Sequence, residues 1–258
     1  MTANAIDDVV DPVPGVQGAA PRDATDDWPF LYLRSPSIAP YYLVALAFLL
    51  ALASVVVGGA VRISGIGARR LSPHFFVLGI AFLLLETRSL VSFSLLFGTT
   101  WLVNALAIFA ILASVLLAIA LSSRLRGVPS HMLYVALLAT ITVAWLLPAD
   151  SLLIDPPELR YVLAAAIAFA PVFFANLVFA ESFRDTAAAD MAFASNLLGA
   201  MVGGALEYVA LVTGFRALLV IVAVLYVVAW LLAHRFRLLA DVDLEREPST
   251  VTAEPTAA

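Results

Sequence analysis

The stretch that decides the fold is FLLLETRSLVSF, Phe82 to Phe93, in which a glutamate and an arginine interrupt an apolar run. The whole chain is 63% hydrophobic and 13% charged, whereas a typical soluble domain is about 25% charged. This apolar excess predicts a membrane protein, so Glu86 and Arg88 are expected inside the bilayer. A charge at the centre of a membrane helix costs about 2.5–3.5 kcal/mol, so both residues need partners inside the protein.

Seven apolar segments surround this stretch, each close to the length that crosses about 30 Å of hydrocarbon as a helix. They predict an all-α, polytopic transmembrane helix bundle of about seven spans, at residues 41–62, 74–97, 101–122, 131–148, 160–181, 191–213 and 216–235. The polar, acidic ends cannot bury enough apolar surface to order themselves. The predicted domains are a disordered acidic segment at 1–27, a transmembrane domain at 28–237 and a disordered tail at 238–258.

Several function classes have no support in the sequence. The chain has no cysteine, and its three histidines lack the i, i+4 spacing of a helical metal site, so His74, His131 and His234 are interpreted as interfacial residues. The glycines of GGAVRISGIG do not complete a nucleotide-binding fingerprint. No basic patch interleaved with aromatic residues favours nucleic acid. We therefore expect no metal, no cofactor, no catalytic residues and no nucleic-acid partner, and the lipid bilayer is the first expected partner.

The loop arginines predict an orientation in the plasma membrane. Nine fall on one side of the predicted spans: Arg62, Arg69, Arg70, Arg124, Arg126, Arg184, Arg235, Arg237 and Arg246. Four fall on the other side: Arg22, Arg34, Arg160 and Arg216. Because arginine-rich loops stay in the cytoplasm, the C-terminus is predicted to be cytoplasmic and, with seven spans, the N-terminus outside.

The sixth span carries a stripe of small and polar residues that offers a partner for Arg88. Gly199 and Gly203 form a G-x-x-x-G, which allows another helix to approach closely. Glu207 lies on the same stripe, and spans two and six run in the same direction. Because Arg88 and Glu207 are about equally far into their spans, we expect Arg88 to be neutralised by Glu207, by Glu86 or by both. The whole stripe is Asn196, Gly199, Gly203, Glu207, Ala210 and Gly214.

The buried polar residues admit two interpretations. In the first, they form a structural network that fixes the register of the helices. In the second, Glu86 or Glu207 binds a cationic substrate or relays protons in a pocket, beside a helix kinked or opened by Pro171. The candidate binding residues are Glu86, Arg88, Asn104, Asn176, Asn196 and Glu207.

Two long stretches resemble a known family. FLLLETRSLVSFSLLFGTTWLVNAL, and FFANLVFAESF followed by ASNLLGAMVGGALEYVALVTGFRALL, are similar to the membrane part of the spermidine synthase-like membrane proteins of bacteria and archaea. ATDDWPFLYLR resembles the segment where their soluble domain meets the helices. The resemblance runs from about residue 24 to about residue 235. It implies a membrane module that anchors or serves a soluble Rossmann-type aminopropyltransferase-like or methyltransferase-like partner.

The chain departs from that family because it contains no Rossmann domain. The family's nucleotide-binding and aminopropyl-transfer residues have no counterparts here, so no catalytic activity of its own is expected. The resemblance also places a cytoplasmic domain before Asp26, which conflicts with the orientation from the arginine count. The alternative prediction is a transporter or binding protein for a small cationic solute such as a polyamine, centred on Glu86 and Glu207.

Overall fold

The computed structural model describes residues 25, 27–30, 33, 36–63, 71–125, 127–147, 156–184, 186 and 189–246. All regular structure in these residues is helical, which confirms the all-α prediction. The helices are α1 (Pro40–Ile63), α2 (Pro73–Phe97), α3 (Trp101–Ser122), α4 (Ser130–Leu146), α5 (Pro157–Arg184), α6 (Ala189–Leu206), α7 (Ala210–Thr213) and α8 (Phe215–Arg246).

Five helical stretches are long and apolar enough to cross a membrane, which indicates a multi-pass membrane protein. They are Pro73–Phe97, Trp101–Ser122, Leu159–Arg184, Ala189–Thr213 and Phe215–Arg235. The apolar stretches of α1 and α4 are shorter, at Pro40–Val56 and Ser130–Leu146. The predicted number of about seven spans is therefore not confirmed.

The outward surfaces of the helices are apolar, as a bilayer requires. On α3 only four side chains are buried, all of them small or medium in size. Phe109 and Leu116 on the same helix are 68% and 69% exposed. A soluble protein rarely exposes contiguous apolar surface of this extent, so these side chains are expected to contact lipid.

Helix α2 is the centre of the bundle. It packs against α6, α8, α5 and α3, whereas α1 lies at the periphery with its main contact to α6. Leu84 and Leu85, on the apolar part of the opening stretch, are fully buried in the core. The two charged residues of that stretch are therefore carried by the helix that contacts most of the others.

Helices α2 and α6 approach each other at backbone distance because glycine lies on both sides. A Cβ added at Gly199 would overlap the carbonyl oxygen of Phe76, and one added at Gly79 would overlap that of Asn196. A Cβ at Gly203 would lie 2.8 Å from the carbonyl oxygen of Ile80. Such close approach through small residues is typical of membrane helix pairs.

The span that begins with α6 does not end as a regular helix. A 3₁₀ turn, Glu207–Val209, interrupts it and is followed by the short α7. Gly214 then adopts a φ of +89°, which a residue with a side chain rarely accepts, and α8 begins at Phe215. Glu207 therefore lies at the point where the α-helix gives way to a 3₁₀ turn.

The structure describes only part of the two predicted terminal segments. Of the predicted segment 1–27, only Thr25 and Asp27 are described, and Asp27 is half-buried against the start of α8. Helix α8 continues to Arg246, beyond residue 237, where the sequence analysis begins the tail. Residues 247–258 lie outside the described residues.

Candidate functional site

A cavity of about 230 Å³ surrounds Glu207 at the 3₁₀ turn. Four aromatic side chains from four segments line it: Phe30, Tyr42, Tyr208 and Phe215. The ring centroids of Tyr42 and Tyr208 are 5.4 Å apart, and those of Phe30 and Phe215 are 5.5 Å apart. We call this cavity, completed by Ala210 and Leu211, the Glu207 pocket. It places a single carboxylate among aromatic rings.

The Glu207 carboxylate is held by α2. The hydroxyl of Thr87 donates a hydrogen bond to Oε2 of Glu207 at 3.3 Å. A carboxylate can accept about four hydrogen bonds, and the described residues supply no other to Glu207. The remaining acceptor capacity is available to an occupant of the pocket, because Glu207 is only half-buried.

The residues before α1 cover one end of the bundle beside this pocket. Trp28 is 1% exposed, and its indole Nε1 donates to the carbonyl oxygen of Leu211 at 2.7 Å. The backbone N–H of Arg216 donates to Oδ1 of Asp27 at 2.6 Å, and that of Phe215 donates to the Asp27 carbonyl at 2.8 Å. Asp27 thus caps the N-terminus of α8, where free N–H groups and the helix dipole favour a negative charge. This cap also holds Phe30 against the pocket.

Arg88 does not form the expected pair with Glu207 or Glu86. Among the residues that the structure describes, it forms no ion pair and no hydrogen bond, and its Nε is buried without a partner. The reason is the helical register: Thr87 faces Glu207, and the next residue points about 100° away around the helix. The side chains of Asp27 and Arg216 lie close enough to Arg88 for their charges to act on it. The expectation of direct neutralisation by a glutamate was wrong.

Glu86 lies away from the Glu207 pocket. It is half-buried on α2 and does not line that cavity. It lies near the phenol of Tyr226, which is 1% exposed on α8. Glu86 and Glu207, which were both predicted to be the centre of a cation site, therefore face different helices.

Each of the three candidate asparagines links two helices. Asn104 is exposed and accepts a hydrogen bond from Ser94 at the junction of α2 and α3, at 3.3 Å. Asn176 is buried and donates to Ser114, which links α5 to α3, at 3.1 Å. Asn196 donates to the carbonyl of Phe75 on α2, at 3.4 Å. These hydrogen bonds fix neighbouring helices, which is the role that the first interpretation gives to such residues.

Asn176 and Asn196 also line the same open cleft, of about 580 Å³, between α2, α3, α5 and α6. Most of its surface comes from apolar side chains, among them Phe82, Phe179 and Phe193. The six candidate residues are thus brought together only in part. The cleft holds two asparagines, the pocket holds Glu207, and Arg88, Glu86 and Asn104 each lie elsewhere.

Several residues of the pocket were not singled out from the sequence. Tyr208 directly follows Glu207 in the motif LEY, and Thr87 lies between the two charges of LETR. The one sequence feature that could have indicated Tyr208 and Thr87 is that each is adjacent to a charged residue within an apolar segment. No sequence signal indicates that Tyr42 or Phe30 meets them, because those contacts depend on the path of the chain before α2.

No described group of histidines, cysteines and carboxylates could hold a metal ion. His74, which the sequence analysis interprets as interfacial, is buried near the start of α2. Its ring nitrogens lie 2.9 Å from the carbonyl oxygen of Ala229 and 3.3 Å from the hydroxyl of Ser182. These contacts tie α2 to α8 and α5.

Comparison with protein families, with curated protein sequences and with solved structures finds no match to the chain. The resemblance to the spermidine synthase-like membrane proteins rests on the sequence motifs alone.

Proposed function

We propose that the protein is a multi-pass membrane protein that binds a small organic cation in the Glu207 pocket, as a transporter or binding protein. The observation that carries the proposal is one carboxylate surrounded by four aromatic side chains in a cavity of about 230 Å³. It corresponds to the alternative drawn from the sequence, with Glu207 rather than Glu86 as its centre.

Aromatic rings and a carboxylate select the same kind of ligand. A cation over a ring face is attracted by about 0.5–2 kcal/mol, with the larger value where water is excluded. The carboxylate adds a direct charge interaction, which is stronger near a membrane interior than in water. No arginine or histidine lines the Glu207 pocket among the described residues. An amine or quaternary ammonium group therefore fits this lining better than an anion does.

The experiment compares two glutamates on adjacent helices. The protein is purified in detergent and titrated with tetramethylammonium and with spermidine, and binding is measured by calorimetry. Glu207→Gln is expected to weaken binding by about tenfold or more, since it removes a charged hydrogen-bond acceptor. Glu86→Gln is the matched control and should bind almost as the unmodified protein does. Equal losses in both variants, or no binding by the unmodified protein, would refute the assignment of this pocket.

A second candidate function is a membrane module that serves a soluble Rossmann-type partner, as the sequence resemblance implies. The docked segment at Asp27 and Trp28 supports it, because a domain attached before this point would be held firmly to the bundle. On this proposal the isolated protein does not form spermidine from putrescine and decarboxylated S-adenosylmethionine. Co-purification with a soluble partner that is lost in Trp28→Ala supports the module, and turnover by the isolated protein argues against it.

The orientation proposed from the arginine count is a plasma-membrane protein with its C-terminus in the cytoplasm. Reporter fusions after residues 70, 127 and 240 test it. Activity of a cytoplasmic reporter at all three positions supports this orientation. Activity of a periplasmic reporter at all three supports the opposite one, which the module proposal favours.

A further inference from the structure

A second, smaller cavity lies on the side of α2 that faces away from Glu207. It has a volume of about 50 Å³ and is lined by residues of α2, α4, α5 and α8 and by Leu147. Its polar side chains, Arg88, Ser89 and Ser92, all come from α2. We call it the Arg88 cavity. The other lining residues that bear on the argument are Ile167 and Pro171 of α5 and Leu219 of α8.

The side chains of the Arg88 cavity supply hydrogen-bond donors that have no partner among the described residues. Nε of Arg88 is buried and unpartnered. Ser89 is 2% exposed, and neither its hydroxyl nor that of Ser92 forms a hydrogen bond within the described residues. Buried polar groups are almost always hydrogen-bonded. The buried, unpartnered Nε of Arg88, beside two hydroxyls that form no hydrogen bond with described residues, therefore indicates an occupant that accepts hydrogen bonds.

A backbone carbonyl of one lining residue lacks its helical hydrogen bond, but it cannot satisfy all these donors. Pro171 has no N–H, so the carbonyl of Ile167, four residues earlier, loses its helical hydrogen bond. That carbonyl can take one or two hydrogen bonds, whereas an arginine alone offers five N–H donors. One carbonyl therefore cannot satisfy the arginine N–H groups and the two hydroxyls together.

The local charge also favours an anion. The carboxylate of Asp27 and the guanidinium of Arg216 lie close enough to Arg88 for their charges to act on it. Asp27 is already bound to the N-terminus of α8, and the guanidinium of Arg216 donates to the carbonyl of Trp145 at 3.2 Å. These three side chains carry a net charge of one positive unit, in a region where an uncompensated charge is costly.

We propose that the Arg88 cavity binds a small monovalent anion of the halide type, with chloride as the ion present in cells. A cavity that holds one water needs about 10–15 Å³. The Arg88 cavity is large enough for a halide or a few waters and too small for a phosphate ester. The proposal goes beyond the cation-binding function, because the two sites lie on different faces of α2.

The test measures halide-dependent stability. The protein is purified in sodium gluconate, and its thermal midpoint is followed as chloride or bromide replaces gluconate at constant ionic strength. A ligand that binds only the folded state raises the midpoint with its concentration. The expected result is a rise with chloride and bromide that is absent in Arg88→Gln and retained in Arg124→Gln. Arg124 is an exposed arginine beyond the end of α3 and serves as the control.

A second pair of variants covers the case in which Arg88→Gln does not fold. Ser89→Ala and Ser92→Ala keep the arginine and remove one donor each. Either should raise the halide concentration at half-effect by about three- to tenfold, the worth of one hydrogen bond. A midpoint of the unmodified protein that is the same in chloride, bromide and gluconate would overturn the proposal. So would an unchanged half-effect concentration in both serine variants. In either case water fills the cavity.

Discussion

The contact between α2 and α6 is tight along its first half and open at its far end. Around Gly79 and Gly199, the two backbones touch and a single added Cβ would overlap a carbonyl oxygen. Farther along, a hydrogen bond from Thr87 to Glu207 links α2 to the 3₁₀ turn after α6, and a cavity of about 230 Å³ opens beside it. The same pair of helices therefore contains both a dry packing surface and a polar pocket.

The difference shows how one helix pair can supply both rigidity and a binding site. Close approach through glycine sets the register of α6 on α2, so that Thr87 meets Glu207. The 3₁₀ turn then interrupts the α-helix, and the cavity beside it is lined by aromatic residues from this turn and from three other segments. Short 3₁₀ stretches within helices often mark functional positions.

The largest expected effect comes from disrupting the close contact between α2 and α6 around Gly79 and Gly199. Gly199→Leu places a side chain where the carbonyl of Phe76 lies. Overpacking of this kind costs on the order of 3 kcal/mol, so little folded protein should accumulate in the membrane. Gly58→Leu on α1 is the control, because a Cβ at Gly58 meets nothing within 4 Å. The measurement is the yield of monodisperse protein after extraction. Similar yields for the two variants would mean that α2 and α6 do not touch here.

A more local effect, confined to the segment before α1 and the Glu207 pocket, is expected from removing the indole of Trp28. Trp28→Ala removes a buried ring and its hydrogen bond to the carbonyl of Leu211. Loss of a buried aromatic side chain costs about 3 kcal/mol. Because Trp28 holds the segment before α1 against the bundle, this loss should release that segment. Faster hydrogen exchange at residues 27–30 and weaker cation binding are expected, with the bundle still folded. Trp101→Ala is the control, since Trp101 is 79% exposed. Unchanged exchange in Trp28→Ala would show that the segment is not held by this ring.

The smallest expected effect is a coupling energy near zero between Arg88 and Glu207. The structure places them on different faces of α2 without a shared hydrogen-bond partner. For such residues the effects on stability add within about 0.5 kcal/mol. Thermal melting of Arg88→Gln, Glu207→Gln and the double variant measures the coupling. A double variant that is more stable than either single variant would indicate a direct ion pair, and the two cavities would then not be independent.

The sequence by itself determined the class of fold and much of the helix pattern. Apolar segments of the right length predicted an all-α membrane bundle, and helix α2 lies at Pro73–Phe97, close to the predicted 74–97. The spacing of Gly199 and Gly203 indicated a face suited to a close neighbour, and α2 occupies that face. These predictions work because hydrophobicity and helical periodicity are local properties of the chain.

Only the tertiary structure decided which polar residues meet. Arg88 and Glu207 have similar depth in parallel helices, but depth does not specify the rotation of each helix about its axis. A shift of one residue turns a side chain by about 100°, which separates Thr87, bound to Glu207, from Arg88. The role of Asp27 also depends on tertiary structure, because the segment before α1 returns to the N-terminus of α8, 189 residues farther along the chain. Contacts at such sequence separation follow from packing, which local sequence patterns do not encode.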